Sequence, residues 1–471
     1  MSQKLTRVSV TAAVALSSFI GALMLSALNV ALPMIQREFA ISAITLTWIT
    51  TSFILSAAVF LVIVGKIADI IGRKRIFLIG NVLFVISTIA AGFSGSASSL
   101  IIFRVIQGIG AAMINATAMA IISSVYPPNK RGMAIGIGTA AVYTGLSFGP
   151  FLGGLLSAAL GWRSILYFVT PFSLIPFLLT ICAVKEEWAD AKGESYDFLG
   201  SIVYAISLSL FMYGITLLPH IRALWCILPG LFGLILFIRR ELTIEFPVFD
   251  VSLFRHNRVF AFSSAAALIH YSATFAIAFL LSLYLQIGLE LSPQVTGLIL
   301  ATQPLTQAGL SPIAGRLSDR IEPAALVSSG MGVTALGLVL LSFISPGTRI
   351  PYIIAVLFLL GAGYAFFSSP NTNAIMSSVE KKHYGLASGT VATMRSLGQV
   401  LSMCVISIVI SIFIGTRAIG PETLEPFGHS TKVSFIILAA FCAVGVYFSA
   451  VRGNLDRETV GSQPTSPEQI D

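Results

Sequence analysis

The sequence Gly-Lys-Ile-Ala-Asp at residues 65–69 recurs as Gly-Arg-Leu-Ser-Asp at residues 315–319, an offset of 250 residues. A second repeat follows in the same order. Gly136 and Gly145 recur 253 positions later as Gly389 and Gly398. One short match arises easily from the frequent use of glycine in membrane helices, whereas two ordered matches at nearly one offset indicate an internal duplication. Two parallel repeats around a central cleft are an architecture of membrane transporters.

The composition of the chain is that of a polytopic membrane protein. Of its 471 residues, 56% are hydrophobic and 10% are charged, and the mean hydropathy is +0.91. A soluble domain carries about 25% charged residues, so a soluble enzyme, a nucleic-acid-binding protein and a disordered chain are excluded despite the net charge of +8. The four cysteines stand singly in apolar stretches, a pattern that predicts neither a disulfide nor a metal site.

Fourteen stretches of roughly 20 mainly apolar residues can each cross a bilayer as a helix. Only residues 219–222 separate the seventh from the eighth, and reading those two as one re-entrant element would reduce the count. The first stretch follows Lys4 and Arg7 as in a signal peptide, but it is too long for a cleaved hydrophobic segment. The predicted spans lie at approximately 8–35, 43–64, 76–94, 98–125, 132–158, 163–184, 198–218, 222–238, 257–286, 294–314, 323–345, 351–375, 385–414 and 430–451.

Basic residues between the spans predict the orientation and the internal boundaries. With the N-terminus in the cytoplasm, 20 of the 28 Lys and Arg residues fall in cytoplasmic segments and six in outer segments. The positive-inside rule therefore makes both termini cytoplasmic. The repeat offset covers eight helices, which predicts two six-helix bundles with two helices inserted between them. The predicted parts are 1–184 for the first bundle, 185–256 for the inserted helices and their loops, 257–451 for the second bundle and 452–471 for a disordered cytoplasmic tail.

Three groups of residues resemble signature motifs of the major facilitator superfamily, over essentially the whole ordered chain. Residues 65–74 are similar to the loop between its second and third helices. Three further features narrow the resemblance to one branch: the fourteen spans, residues 29–33 in the first span, and Trp48 at the start of the second. This branch is the fourteen-helix drug:proton antiporters, which comprise the multidrug and quaternary-ammonium exporters. The fourth-helix motif is matched by Leu100, Arg104, Gln107, Gly108, Gly110 and Ala112, and the fifth-helix "antiporter" motif by Gly136, Gly145, Gly149, Pro150, Gly153 and Gly154.

The first motif and its repeat are candidates for a gate at the cytoplasmic face. Glycines there permit a tight turn, and a carboxylate such as Asp69 can pair with arginine or cap a helix N-terminus of the other half. The alternative is a solvated loop that carries positive-inside charges. Ile70 stands where the family usually has a basic residue, which removes one expected salt bridge. The gating candidates are Gly65, Asp69, Gly72, Arg73, Gly315 and Asp319.

Polar residues within the spans are candidates for proton relay or substrate contact, because a mid-helix charge costs roughly 2.5–3.5 kcal/mol on insertion scales and rarely faces lipid. Arg104 begins a polar stripe at helical spacing, and a structural arginine bonded to carbonyl groups is its alternative. His270 lies about 18 Å into the ninth span and fits a proton carrier and a structural residue equally. Arg395 fits an interhelical anchor and an anion contact equally. The full set is Asn29, Arg104, Gln107, Asn115, His270, Tyr271, Asn371 and Arg395.

The glycines of the fifth span, from Gly136 to Gly154, occur at spacings that let helices approach closely. Pro150 removes a backbone donor and can bend the helix. Tight packing and a leak-resistant sliding seam both fit this pattern, and neither makes these residues substrate contacts.

The predicted spans contain no carboxylate that could bind a proton and a drug cation in turn. All 20 Asp and Glu residues fall in loops, in the tail or at helix ends. The drug-exporter branch usually carries an aspartate five residues before the asparagine that matches Asn29, and this chain has Met24 there. Because the intramembrane charges are positive, the sequence favours neutral or anionic amphipaths over lipophilic cations as substrates.

The sequence and its resemblance therefore predict a multi-pass secondary transporter of the cytoplasmic membrane. Its helices should form an all-α major facilitator fold that alternates access around a midplane cavity, lined by spans one, four, nine and twelve. Efflux of drugs or amphipathic molecules by proton antiport is the leading function. The alternatives are an uncoupled facilitator or importer of a small organic solute, and a non-transporting receptor or scaffold.

The expected partners are the lipid bilayer, a small amphipathic molecule and protons, with no nucleic acid, no cofactor and a monomeric chain. An enzyme is not expected, because the sequence has no nucleophile–base cluster and no metal-ligand spacing. The motif Gly-x4-Gly-Lys-Ser/Thr is also missing, which argues against ATP-driven pumping within this chain.

Overall fold

Fourteen helical segments run back and forth along one axis, and the described chain contains no strand. The computed structural model describes residues 3–126, 128–249, 254–255, 257–318, 320–379 and 384–451. The ninth segment is divided into α9a and α9b, and a π-helical turn at Tyr284–Gly288 follows α9b. The helices are α1 (Gln3–Phe39), α2 (Ala43–Ile71), α3 (Arg73–Gly92), α4 (Ala97–Val125), α5 (Pro128–Leu160), α6 (Arg163–Ala183), α7 (Phe198–Thr216), α8 (Leu224–Glu241), α9a (Arg258–Thr274), α9b (Ile277–Leu283), α10 (Pro293–Ser318), α11 (Pro323–Leu341), α12 (Ile350–Ser377), α13 (Tyr384–Phe413) and α14 (Leu424–Val451).

Capping residues and apolar composition explain where these helices form. The Ser42 side chain accepts a hydrogen bond from the Thr45 amide at the start of α2, and Ser96 and Ser99 form a capping box at the start of α4. Thirteen of the segments in the described chain are long and apolar enough to cross a membrane. The fourteenth, α10, carries several polar side chains that face a central cavity. The predicted all-α fold with fourteen helices, including separate α7 and α8, is confirmed.

An even number of crossings places both ends of the described chain on one face, which we call the terminal face. The other face is called the opposite face. That the terminal face is cytoplasmic stays a prediction from the distribution of basic residues. The tail at 452–471 lies outside the described residues.

The turn in the first motif differs from its prediction. Residues 65–71 are helical and extend α2 to Ile71, so the predicted span ended too early. Gly72 alone separates α2 from α3, with a φ of +132°. A side chain would be strained at this φ, and a Cβ atom there would meet the side chain of Glu187. One glycine therefore makes the whole turn.

Helices α1–α6, called the N bundle, and α9–α14, called the C bundle, repeat the same packing contacts. Gly145 of α5 lies against the Phe19 carbonyl of α1, and Gly398 of α13 lies against the Leu268 carbonyl of α9a. The two glycines are 253 residues apart, which is the offset of the second sequence repeat, and each lies on the equivalent helix of its bundle. The duplicated motif thus corresponds to duplicated packing.

Helices α7 and α8 form a hairpin beside the two bundles. Gly214 and Gly230 leave no room for a Cβ between the two helices. At the other end of the hairpin, Arg240 donates two hydrogen bonds of 2.7 and 2.8 Å to the Asp197 carboxylate, and these bonds hold the pKa of Asp197 below its ordinary value. The α7 helix packs on α2 of the N bundle and α13 of the C bundle, so the hairpin lies across the boundary between the bundles.

The two bundles are joined mainly towards the opposite face. Gly154 and Gly297 bring the backbones of α5 and α10 together there. Among the described residues, the other hydrogen bonds between the bundles involve Tyr143, midway along α5, and none lies nearer to the terminal face. The molecule is therefore closed at its opposite face. The five hydrogen bonds that close it join Ala43 N to Arg417 O (3.0 Å), Gln36 Nε2 to Ile419 O (3.1 Å), Thr47 Oγ1 and Ser407 Oγ (2.7 Å), Ser282 Oγ to Asn29 O (2.8 Å) and Gln286 Nε2 to Val30 O (2.8 Å).

Candidate functional site

A cavity of about 220 Å³ lies between the two bundles, midway along the helices. The N bundle contributes α1, α2, α4 and α5 to its wall, and the C bundle contributes α9, α10, α12 and α13. The resemblance implied α1, α4, α9 and α12, so the structure adds one pair of helices from each bundle. A central cavity between two six-helix bundles is the geometry that alternating access requires.

The cavity wall combines ring faces and amide groups with one charge. Arg395 is the one charged side chain among the described residues that line it, and no carboxylate or histidine is among them. Such a wall can hold a planar or amphipathic molecule by stacking and hydrogen bonding. The described chain also contains no group of three or more His, Cys, Asp or Glu side chains placed to bind a metal ion. The ring and amide side chains of the wall are Phe53, Tyr143, Tyr271, Phe275, Tyr364, Asn29, Asn115, Gln303, Gln307 and Gln399.

Four residues predicted as cavity candidates line the wall, namely Asn29, Asn115, Tyr271 and Arg395. The Asn29 side-chain oxygen accepts a hydrogen bond of 3.4 Å from the Thr50 hydroxyl. Its backbone carbonyl accepts one of the bonds that close the opposite face. Asn29 therefore connects the cavity directly to the closed end of the molecule.

The cavity is also lined by four residues that were not predicted from the sequence, Tyr143, Gln303, Gln307 and Gln399. Three of these residues carried a signal. Gln303 and Gln307 are one helical turn apart, and Gln399 follows Arg395 by one turn, so each pair shares a helix face. Tyr143 carried none, because a single aromatic residue in a glycine-rich helix is typical of packing. Its hydroxyl hydrogen-bonds to that of Ser368 across the cavity.

Arg104 and Gln107 lie outside the cavity wall. Arg104 is 1% exposed and donates from Nε to the Ile49 carbonyl (3.2 Å) and from Nη1 to the Gln107 Oε1 (2.6 Å). Its guanidinium carbon lies 4.2 Å from the centroid of the Phe53 ring, and Gln107 Nε2 donates to Thr88 Oγ1 at 2.7 Å. These contacts join α2, α3 and α4, so in this conformation the two residues serve as interhelical anchors.

His270 and Asn371 are buried beside the cavity, in what we call the α9a–α12 seam. The His270 ring stacks on that of Phe367 with 3.7 Å between centroids. It lies 4.9 Å from the ring of Tyr364, which does line the cavity. Asn371 Nδ2 donates a 3.0 Å hydrogen bond to the Ser263 carbonyl. The structure therefore places both candidates behind the wall.

The linker between α6 and α7 covers the first motif at the terminal face. Arg73 is paired with Asp69 at 2.8 Å and with Asp190 of the linker at 2.8 Å. Lys66 is paired with Glu194 of the linker at 2.6 Å. Two backbone hydrogen bonds run between the motif and the linker as well. In this conformation the cations of the motif are bonded within the N bundle and to the linker.

The second copy of the motif is described only in part. Gly315 is helical within α10, and a Cβ atom there would lie 3.0 Å from the Ser369 hydroxyl of α12. Asp319, the predicted counterpart of Asp69, lies outside the described residues. Pairing between the two halves of the gate therefore stays a prediction.

The glycines of α5 act at two different contacts. Gly154 lies against the Pro293 carbonyl of α10, across the boundary between the bundles, whereas no atom of the described residues lies within 4 Å of the place where a Cβ of residue 136 would be. The helix is continuous through Pro150. Close packing therefore accounts for most of the motif within the N bundle. The glycines that lie against the α1 backbone are Gly145, Gly149 and Gly153.

Known proteins share this architecture. The family model of the Major Facilitator Superfamily matches residues 14–285 and 263–469. Multidrug resistance protein Stp of Mycobacterium tuberculosis (strain ATCC 25618 / H37Rv) is 32% identical over 404 residues, which cover 84% of this chain and 74% of Stp. Riboflavin transporter RibZ of Clostridioides difficile (strain 630) is 28% identical over 421 residues, which cover 89% of this chain and 92% of RibZ.

A solved structure has the same fold. It is the crystal structure of a bacterial homolog to the human lysosomal transporter Spinster, in an inward-facing and unoccupied conformation. It aligns with a TM-score of 0.68 at 18% sequence identity, over 95% of this chain and 97% of that chain. This chain belongs to the major facilitator superfamily, and it is a multi-pass membrane transporter.

Proposed function

We propose that this transporter exports neutral or anionic amphipathic small molecules, in exchange for protons that move inward. The observation that carries the proposal is the charge of the cavity wall, in which Arg395 has no acidic neighbour among the described lining residues. A lipophilic cation would lose its hydration there without gaining a counter-ion, which is unfavourable. A neutral ring system or an anion meets no such cost.

The names of two relatives support transport of ring-containing solutes. Stp is named a multidrug resistance protein and RibZ a riboflavin transporter. Tyr143, Tyr271 and Tyr364 line the cavity together with five amide side chains. Stacking on the rings and hydrogen bonding to the amides would suit a planar molecule with polar edges. We therefore expect substrates that combine both features.

Transport assays in proteoliposomes test this proposal. The protein would be reconstituted with a pH-sensitive dye inside the vesicles, and ethidium (cationic), riboflavin (neutral) and fluorescein (anionic) would be added in turn under an imposed pH gradient. We expect riboflavin or fluorescein to move and to trigger proton flux, and ethidium to do neither. Strong ethidium transport would contradict the proposed substrate charge. Solute movement without proton flux would instead support the uncoupled facilitator, the alternative that the missing carboxylate favours.

We also propose that Arg73 and Asp69 act in the gate at the terminal face. Arg73 is 13% exposed and bonds two carboxylates and the Ser124 hydroxyl, each at 2.8 Å. Partly buried, charge-assisted bonds of this kind are worth more than exposed ion pairs. A change of conformation that moved the linker would have to exchange these bonds for others.

Arg73→Ala is expected to lower the initial transport rate by about tenfold or more, since roughly 1.4 kcal/mol corresponds to a factor of ten. The matched control is Arg75→Ala, because Arg75 is 69% exposed and has a single ion pair of 3.7 Å to Glu187. Rates would be measured with the transported dye in the same vesicles. Equal rates for the two variants would contradict a gating role for Arg73.

A further inference from the structure

We propose that His270 is the site that binds the coupling proton, and that it is neutral in the conformation closed at the opposite face. This inference rests on the proposed function, because it names the group that would couple transport to protons. The His270 side chain is 0% exposed, and neither ring nitrogen has a hydrogen-bond partner in the described part of the chain. The Phe367 ring covers one of its faces.

Among the described residues, no carboxylate forms a hydrogen bond with the His270 ring that would stabilise an imidazolium. Tyr271 on α9a and Tyr364 on α12 are its titratable ring neighbours, with centroids 5.8 and 4.9 Å from that of His270, and neither side chain is a carboxylate. Arg395 on α13 contributes a like charge in the adjoining cavity, and α11 contributes Val327 and Met331 to the apolar cluster that includes Phe367. Burying an unpaired charge is far more costly than burying the neutral group. The closed seam therefore disfavours a proton on His270.

The seam also contains unpaired polar atoms on the terminal-face side of His270. Asn371 Oδ1 and Ser264 Oγ are buried and have no hydrogen-bond partner among the described residues. Asn371 follows Phe367 by one turn of α12, and Ser264 precedes His270 by about 9 Å along α9a, both in the direction of the terminal face. Leaving a buried polar group without a hydrogen-bond partner is unfavourable. Several such groups in one seam indicate a second arrangement in which they are hydrated or bonded to one another.

Proton binding to His270 is linked to conformation, because the closed seam disfavours the charged ring and an open, hydrated seam does not. A proton that binds to the lone pair of the neutral imidazole favours a conformation with an open, hydrated seam, and its release restores the closed seam. Tyr364 lies between His270 and the substrate cavity, so the same change alters the cavity wall. In the conformation closed at the opposite face, the proton has left and the cavity is ready for substrate. Exchange of a proton for a substrate requires that the proton leaves before the substrate binds.

The test measures opening of the opposite face as a function of pH, without substrate. Spin labels at Arg37→Cys on α1 and Ser292→Cys before α10 flank one groove on that face, and pulsed electron paramagnetic resonance reports their separation. Cys182 and Cys226, which are not buried, are changed to serine beforehand. On lowering the pH from about 8 to 5 we expect the open population to rise, with an open-to-closed ratio that changes by up to about tenfold per pH unit, the limit for one proton.

His270→Gln is expected to abolish this response, and His429→Gln, at an exposed histidine of α14, is expected to retain it. A response that persists in His270→Gln, or a parent protein without any response, overturns the proposal.

If His270→Gln does not fold, Phe367→Leu keeps the histidine and removes its stacking partner. We then expect the midpoint of the response to move to higher pH, and an unchanged midpoint overturns the proposal. Because this measurement needs no transport, a protein that passes it and exports nothing would refute the proposed function alone.

Discussion

Arg395→Gln is expected to weaken the binding of an anionic amphipath by about 10- to 100-fold and to change that of a neutral one by less than about threefold. Arg395 carries the one charge among the described residues of the cavity wall, and hydrogen bonds to charged groups contribute about 1.5–3 kcal/mol. Glutamine retains hydrogen-bonding capacity but no charge. The measurement compares KM for fluorescein and for riboflavin in proteoliposomes, because the ratio of the two cancels differences in the amount of folded protein.

Arg395→Lys is the matched control for this prediction. Lysine keeps the positive charge and loses the planar fork of the guanidinium, so it should retain most of the preference for the anion. If Arg395→Gln weakened both dyes equally, Arg395 would be an interhelical anchor, the alternative that the sequence left open. That outcome would remove the main support for neutral or anionic substrates.

The fold was predictable because its determinants are local. A helix that crosses a bilayer needs an apolar stretch of sufficient length, and thirteen of the fourteen segments in the described chain have one. The exact end of α2 was not predictable in this way, because Lys66 and Asp69 look like a loop to a hydropathy criterion. In the structure the helix continues past them into the polar region, and only the backbone of Gly72 stops it.

The candidate site was predictable only in part, because a sequence identifies polar positions on a helix but not how that helix is rotated in the bundle. Arg104 and Arg395 are both arginines within spans. One donates to the Ile49 carbonyl inside the N bundle, and the other faces the cavity. Tertiary packing makes this distinction, and periodicity within α4 or α13 cannot. Gln303 was missed for a related reason, since α10 is the least apolar of the spans and its polar residues follow no single dominant motif.

Two glycines of α5 that look alike in sequence, Gly153 and Gly136, differ in how closely they pack against other helices. Gly153→Ala is expected to destabilise the folded protein by about 1–3 kcal/mol, the usual cost of overpacking a well-packed core. A Cβ at Gly153 would lie 2.5 Å from the Ala27 carbonyl oxygen and 2.7 Å from the Ala27 Cα. Both are backbone atoms, so no side-chain rotation relieves the contact, and α1 must move away from α5.

Gly136→Ala is the matched control, since it makes the same chemical change in the same helix, at a place where no described residue has an atom within 4 Å of the new Cβ. Alanine favours a helix interior over glycine by about 0.8–1.0 kcal/mol, so this variant should be unchanged or slightly more stable. Thermal unfolding in detergent, followed by size-exclusion chromatography, measures both. If the two variants lost stability equally, the spacing of α1 and α5 would not depend on Gly153, and the glycine pattern would have to be explained by motion between the bundles. A loss confined to Gly153→Ala would instead assign that residue to static packing, and leave Gly154, which contacts α10, as the glycine at the boundary that moves.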